Sequence, residues 1–110
     1  MSYNARVTDQ VNKMAQAYGT PAYTAEKEAY WKIIEEEAIK DGDRAWGWLA
    51  YEDATDILEE AIANEDDKDW IGEILADYER FTEMLVRVFG DEGHRWYDRD
   101  LVQQAEEYIA

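Results

Sequence analysis

The chain has 110 residues, of which 27 are Asp or Glu and 11 are Lys or Arg, so its formal net charge at pH 7 is −16. This balance excludes direct binding to DNA or RNA through a basic surface, because affinity for phosphates comes from their neutralisation by Lys and Arg. Hydrophobic residues still make up 46% of the chain and cysteine is absent, so the composition predicts one acidic globular domain, residues 1–110, without disulfides or a thiolate nucleophile.

Apolar residues recur at helical spacing along the chain and predict five helices. The first runs from about Asn4 to Tyr18 and is ended by the Gly-Thr-Pro sequence at residues 19–21. The second follows Thr24 and runs to about Lys40, with the threonine as its expected N-cap. No stretch alternates polar and apolar residues in the way a half-buried strand does.

The third helix is predicted from about Asp43 to Asn64. Its first turn, Trp46–Leu49, is apolar on every side, which leaves two interpretations open: the turn is buried all round, or it is a break before a helix that begins near Glu52. Further along, six residues share one apolar stripe that we expect to face the core: Tyr51, Ala54, Ile57, Leu58, Ala61 and Ile62.

The fourth helix has the most regular pattern. It keeps one apolar face for five turns from Ile71 to Phe89, and Gly90 follows in a position typical of helix ends. A last helix is predicted near the C-terminus, where Asp100 and Gln103 have capping-box spacing. The sequence therefore predicts an all-α fold, an irregular bundle of four to five helices in a single domain.

The negative charge is concentrated between Glu52 and Glu79, where twelve acidic residues and one base, Lys68, give a net charge of −11. On a helical wheel, the carboxylates of the third helix lie opposite its apolar stripe. Like-charge pairs three or four residues apart in this helix each oppose its formation by about 0.2–0.5 kcal/mol. Ten carboxylates of the segment are called the acidic ridge below: Glu52, Asp53, Asp56, Glu59, Glu60, Glu65, Asp66, Asp67, Asp69 and Glu73.

The charge density of this segment approaches that of nucleic acid. Folded back as two antiparallel helices joined by residues 64–67, residues 52–79 would carry one net charge per about 2 Å, against about 1.7 Å for duplex DNA. At the level of class, the small size, helical pattern and concentrated acidity resemble the DNA-mimic inhibitors that phages and mobile elements use against restriction, CRISPR or other DNA-binding proteins. The resemblance implies a basic DNA- or RNA-binding protein as the partner, with its groove blocked by the acidic ridge.

Two other interpretations of the acidic ridge stay open. In one, the chain is an acidic helical adaptor or assembly protein that binds a partner through exposed aromatic residues, with Trp48 and Tyr51 beside the ridge, or Trp96 and Tyr97, as anchors. Trp48 projects away from the apolar stripe of its helix, although packing against another helix explains it equally well. In the other interpretation the ridge is only a solvated face. A homodimer is compatible with all of these interpretations.

Residues for catalysis or metal binding are scarce. Ser2 is the only serine and His94 the only histidine, so nucleophilic catalysis and a di-iron site lack their usual side chains. An EF-hand frame that starts at Asp41 places Ala45 and Trp46 where an Asp or Asn and the turn glycine belong. We therefore expect no enzymatic activity, no cofactor and no metal. Since no apolar run approaches the length of a membrane span, we expect a cytoplasmic location, in the host bacterium if a phage encodes the protein.

Overall fold

The computed structural model describes residues 4–49 and 55–110, apart from the side chain of Trp96. Within these residues there is no strand, and two 3-10 segments, Gly42–Arg44 and Gly90–Trp96, accompany the α-helices. The helices are α1 (Ala5–Ala17), α2 (Tyr23–Asp41), α3 (Ala45–Leu49), α4 (Thr55–Ala63), α5 (Lys68–Phe89) and α6 (Arg99–Ile109). The all-α prediction is confirmed, and the third predicted helix is represented by α3 and α4.

Backbone contacts divide the chain into two compact units, Met1–Tyr51 and Glu52–Ala110. They are called the first unit and the second unit, and each is described by itself. The prediction of a single domain over residues 1–110 stays a prediction.

In the first unit, α1 packs on α2, and α2 also contacts α3. Asn4 is the N-cap of α1, since its side-chain oxygen accepts hydrogen bonds from the backbone N–H groups of Arg6 and Val7. Its side-chain nitrogen donates to the carboxylates of Glu37 (2.9 Å) and Asp41 (3.3 Å) near the end of α2. The side chain of Asn4 therefore caps α1 and also hydrogen-bonds to α2. The buried apolar residues of this unit are Val7, Tyr30, Trp31, Ile34, Ala38, Ala45, Trp48 and Leu49.

In the second unit, α5 is the central helix and contacts α4, α6 and the 3-10 segment Gly90–Trp96. The side chain of Tyr78 is buried, and its hydroxyl accepts hydrogen bonds from the backbone N–H of Asp98 (2.7 Å) and the hydroxyl of Thr55 (3.2 Å). Because Asp98 is the N-cap of α6, this hydroxyl connects three helices. The buried cluster around it consists of Leu58, Ala61, Ile71, Ile74, Tyr78, Leu101, Val102 and Ala105.

Gly93 allows the 3-10 segment to lie directly on the backbone of α5. A Cβ atom at this position would stand 2.7 Å from the carbonyl oxygen of Leu85 and would also overlap the backbone nitrogen of Val86. Real Cβ atoms do not approach backbone atoms this closely, so a larger residue would push the segment away from α5. The glycine is therefore required by packing between two elements.

The structure corrects two predicted helix starts. Thr24 is not an N-cap, because α2 already begins at Tyr23 and has no side-chain cap. Asp100 lies inside α6, and Asp98 is the cap instead: its carboxylate accepts the backbone N–H of Leu101 at 3.0 Å. A turn precedes α2, whereas two extended residues, Tyr97 and Asp98, precede α6.

The predicted apolar stripe of the third helix is also corrected in part. Leu58 and Ala61 are buried, but Ile57 is 51% exposed. Ile57 lies 100° around α4 from Leu58, so a face centred on Leu58 turns Ile57 toward solvent. In α3, Trp48 and Leu49 are buried and Gly47 is exposed, so this turn is not buried on all sides. The predicted break near Glu52, with Tyr51 and Ala54 of the stripe, lies outside the described residues.

Candidate partner-binding surface

The charge of the protein belongs almost entirely to the second unit. Residues 52–110 contain 19 acidic and 5 basic residues, a net charge of −14, whereas residues 1–51 contain 8 acidic and 6 basic residues, a net charge of −2. Both units bury an apolar set of similar character, so the need for a core does not explain the difference. The excess of acidic residues belongs to the second unit, so a charged binding surface is expected there.

Helices α4 and α5 form the helical hairpin that the sequence predicts, with α4 packed on α5 and residues 64–67 between them. The end of α4 is a Schellman motif: the backbone N–H of Asp66 donates to the carbonyl of Ala61 (3.0 Å), and that of Glu65 donates to the carbonyl of Ile62 (3.1 Å). These bonds satisfy two of the last carbonyl groups of α4. The two helices and the loop are called the α4–α5 hairpin below.

Most of the acidic ridge is exposed on the α4–α5 hairpin. Six of its members are exposed, and two, Asp66 and Glu73, are partly buried; Glu52 and Asp53 lie outside the described residues. On α4 the acids lie opposite the buried residues Leu58 and Ala61, as the helical wheel predicts. Their role in binding stays a prediction. The six exposed members are Asp56, Glu59, Glu60, Glu65, Asp67 and Asp69.

Glu65 stands in a backbone conformation that favours glycine. Its φ angle is 55°, and no other non-glycine residue in the described part of the chain has a positive φ. A side chain with a Cβ atom costs roughly 1 kcal/mol or more in this region. The carboxylate also lies just after the C-terminus of α4, where the helix dipole disfavours negative charge. Stability would select glycine or asparagine at this position, so the glutamate is retained against stability.

Two other members of the ridge have a structural explanation. Asp67 is the N-cap of α5, and its carboxylate accepts the backbone N–H of Asp69 at 2.7 Å. Asp69 lies in the first turn of α5, where the helix dipole favours an anion. The start of α5 therefore accounts for these two carboxylates, but it does not account for Glu59, Glu60 and Glu65 around the end of α4.

Of the aromatic residues considered as anchors, the structure describes the side chains of Trp48 and Tyr97. Trp48 is 5% exposed, and its indole Nε1 donates to the carboxylate of Asp41 at 2.8 Å. Of the two interpretations left open for Trp48, the structure shows the packed one, because the side chain is buried in the first unit and hydrogen-bonded to Asp41. Tyr51 lies outside the described residues. Tyr97 is partly buried, with its hydroxyl donating to Glu79 at 2.9 Å.

Two exposed apolar side chains on the α4–α5 hairpin were missed at the level of sequence. Ile57 on α4 is 51% exposed and Trp70 on α5 is 36% exposed. Trp70 precedes Ile71, the first residue of the regular apolar face of α5. Because Trp70 does not belong to that face, the sequence already indicated that its side chain is exposed. For Ile57 the wheel alone contained no signal, since the predicted stripe was wide enough to include it.

The part of the chain that is described has neither a cluster of metal-ligating side chains nor a membrane-spanning helix. Among these residues no cluster of three or more His, Asp or Glu side chains could hold a metal ion, and no helix has the length and apolarity to cross a bilayer. Of the EF-hand frame, Asp41 accepts hydrogen bonds from Asn4 and Trp48, and Glu52 lies outside the described residues.

No protein-family model, curated protein or solved structure matches this chain.

Proposed function

We propose that the second unit is an acidic mimic of nucleic acid that occupies the basic DNA- or RNA-binding surface of a partner protein. The observation that carries the proposal is Glu65, a carboxylate kept in a strained backbone conformation and at a helix C-terminus, in the middle of the acidic ridge. The positive φ and the negative charge at the helix C-terminus each lower the stability of the fold at this position. Glu65 is also exposed, and a strained backbone conformation at an exposed residue is expected where the side chain serves a partner.

Charge density supports the same proposal. Residues 55–79 contain ten acids and Lys68, a net charge of −9. The part of α5 from Lys68 to Glu79 is about 18 Å long at 1.5 Å per residue, and α4 folds back beside it. The α4–α5 hairpin therefore carries one net charge per about 2 Å, close to the spacing of about 1.7 Å for duplex DNA.

The mechanism is competition for a cationic groove. The hairpin meets Lys and Arg side chains that otherwise neutralise phosphates, and long-range attraction accelerates the encounter. Affinity of such a complex falls steeply as salt is added, because screening acts on every charge pair at once. A cytoplasmic location, in the host bacterium if the gene is carried by a phage, is part of this proposal, and the partner is a protein rather than DNA or RNA.

The test compares two variants of equal net charge. The ridge variant is Asp56→Asn, Glu59→Gln, Glu60→Gln and Glu65→Gln, which leaves the cap of α5 intact. The control variant neutralises four exposed acids elsewhere in the second unit: Asp91→Asn, Glu92→Gln, Glu106→Gln and Glu107→Gln. Both variants keep the same core, so differences in binding report on the position of the charges.

Proteins captured from a bacterial lysate by the immobilised parent are challenged with duplex DNA and with salt. We expect duplex DNA to displace the partner, the ridge variant to lose it, and the control variant to retain it. The proposal fails if the ridge variant captures the partner as well as the parent does, or if excess duplex DNA leaves the complex intact. The first of these outcomes would favour a ridge that is only solvated.

The adaptor interpretation is the second candidate, and the exposure of Ile57 and Trp70 favours it. In this case affinity depends on apolar contacts made by one or two side chains and changes little with salt. We expect Ile57→Ser with Trp70→Ser to abolish capture if the protein is an adaptor, while the ridge variant still binds. The two candidates therefore respond oppositely to the same pair of variants. A homodimer would present two copies of either surface.

A further inference from the structure

The second unit contains a cavity of about 500 Å³ between the C-terminal half of α5, the 3-10 segment Gly90–Trp96 and the start of α6. This volume lies within the range of small-molecule sites, about 300–1,000 Å³. Val86 contributes an apolar part of the wall, and Gly93 holds the 3-10 segment against α5 beside it. The cavity lies on the opposite half of α5 from the acidic ridge.

Both signs of charge line this cavity. Glu79 and Glu83 come from α5, and Arg87 and Arg99 come from α5 and α6. The surrounding residues 80–99 contain four acids and four bases, a net charge of zero, whereas residues 52–79 carry −11. Two of the five bases of the second unit, Arg87 and Arg99, therefore line one cavity.

Tyr97 fixes one of the carboxylates. Its hydroxyl donates to Oε1 of Glu79 at 2.9 Å, and its ring stands 5.7 Å from the ring of Tyr78, which is buried in the core. Burial, and then the hydrogen bond and charge of Glu79, raise the pKa of the Tyr97 hydroxyl above its ordinary value of 10.0. Tyr97 therefore remains a protonated donor at neutral pH, and Glu79 is held at the wall of the cavity.

We infer that this cavity binds a small zwitterion with an apolar body, of the chemical class of an α-amino acid. Arg87 and Arg99 recognise the carboxylate, Glu79 and Glu83 recognise the ammonium group, and Val86 contacts the apolar body. A ligand with only a negative charge is opposed by the field of a unit with a net charge of −14. A ligand with only a positive charge meets two guanidinium groups. This inference does not depend on the proposed mimicry.

The test uses three probes that share one aromatic body. L-Phenylalanine carries both charges, 2-phenylethylamine carries only the ammonium group, and 3-phenylpropionate carries only the carboxylate. Each is titrated into the ¹⁵N-labelled full chain, and amide shifts are followed by NMR. We expect L-phenylalanine to shift residues 79–99 saturably, with a Kd on the order of millimolar for a ligand of this size. Each analogue should bind at least about tenfold more weakly, since it loses one charge-assisted contact.

Single substitutions test which charged side chains of the cavity contact the ligand. Arg99→Gln and Glu83→Gln alter exposed side chains of the cavity and should each weaken L-phenylalanine by about tenfold. Lys68→Gln and Glu60→Gln make the same changes of charge outside the cavity and should leave its Kd unchanged. Equal affinity for all three probes, shifts that map outside residues 79–99, or the absence of saturable shifts would each overturn the inference. Far-UV circular dichroism of every variant verifies the fold.

Discussion

Glu65 combines a positive φ with a negative charge at the end of a helix, and both features can be removed by one substitution. Glu65→Gly is expected to raise the free energy of unfolding by about 0.5–1 kcal/mol, since the native conformation costs glycine nothing and the Schellman bonds remain. Urea denaturation measures the change. Glu65→Gln is the matched control, because it removes the charge and retains the strain, so it should stabilise less. A destabilised Glu65→Gly protein would contradict the assignment of strain.

The same position connects stability to the proposed function. A more stable Glu65→Gly protein that binds its partner more weakly is the behaviour expected of a residue retained for binding. If the residue were only a tolerated imperfection of the loop, stability would rise and binding would stay the same. The two outcomes separate function from chance at a single residue.

Glu37 gives the first unit a dependence on pH. The hydrogen bond from Asn4 is the largest influence that lowers the pKa of this carboxyl below its ordinary value of 4.5, and Arg6 and Lys40 act in the same direction. A lowered pKa in the folded state means that the carboxylate contributes its full stability above about pH 4.5 and loses it as pH falls through the folded pKa. The first unit should therefore lose part of its stability in acid.

The comparison of parent and Glu37→Gln tests this expectation. The difference between their free energies of unfolding should be constant near neutral pH and should shrink below pH 4.5. Glu36→Gln is the control, since Glu36 is an exposed partner of the same Arg6, at 3.5 Å, and exposed ion pairs contribute little. A parent–variant difference that does not change with pH would show that Glu37 acts through packing alone.

At the scale of elements, Gly93 determines how the 3-10 segment Gly90–Trp96 meets α5. Gly93→Ala places a Cβ atom against the backbone of Leu85 and Val86, neither of which can move without disturbing α5. We expect a loss of about 1–3 kcal/mol, as for other overpacked sites, measured by chemical denaturation. Gly47→Ala is the control, since a Cβ atom at Gly47 meets nothing within 4 Å. Comparable losses for the two variants would contradict the close contact.

The contact of Gly93 with α5 could not be predicted from the sequence, whereas other features could. Helix α5 was predicted accurately, because its apolar residues repeat over five turns and Gly90 ends it with φ at 70°. The 3-10 segment that follows depends on a contact between elements that no local pattern encodes. For Trp48 the sequence left packing and exposure equally open, because a helix of five residues does not define a buried face. The position of the acids on α4 was predictable because it depends on helical periodicity alone.

At the scale of the whole molecule, the two units divide charge very unequally although they form from one chain. An acidic surface that serves only solubility interleaves bases with acids, and the first unit does so with 8 acids and 6 bases. In the second unit Arg87 and Arg99 line the cavity, and residues 52–79, which contain the acidic ridge, have Lys68 as their single base. The self-repulsion of the ridge should therefore be local and measurable, rather than spread evenly over the surface.

The dependence of the free energy of unfolding on salt concentration measures this repulsion. At low ionic strength the ridge variant should be more stable than the parent by about 0.5–1 kcal/mol, because the like-charge pairs of Asp56 with Glu59 and Glu60 are removed. The control variant has the same net charge but removes no pair at that spacing, so it should gain less. Near physiological ionic strength the Debye length is about 8 Å, and the advantage of the ridge variant should diminish. Equal gains by both variants, measured as free energies of unfolding, would show that only the total charge matters and that the ridge is not a distinct feature.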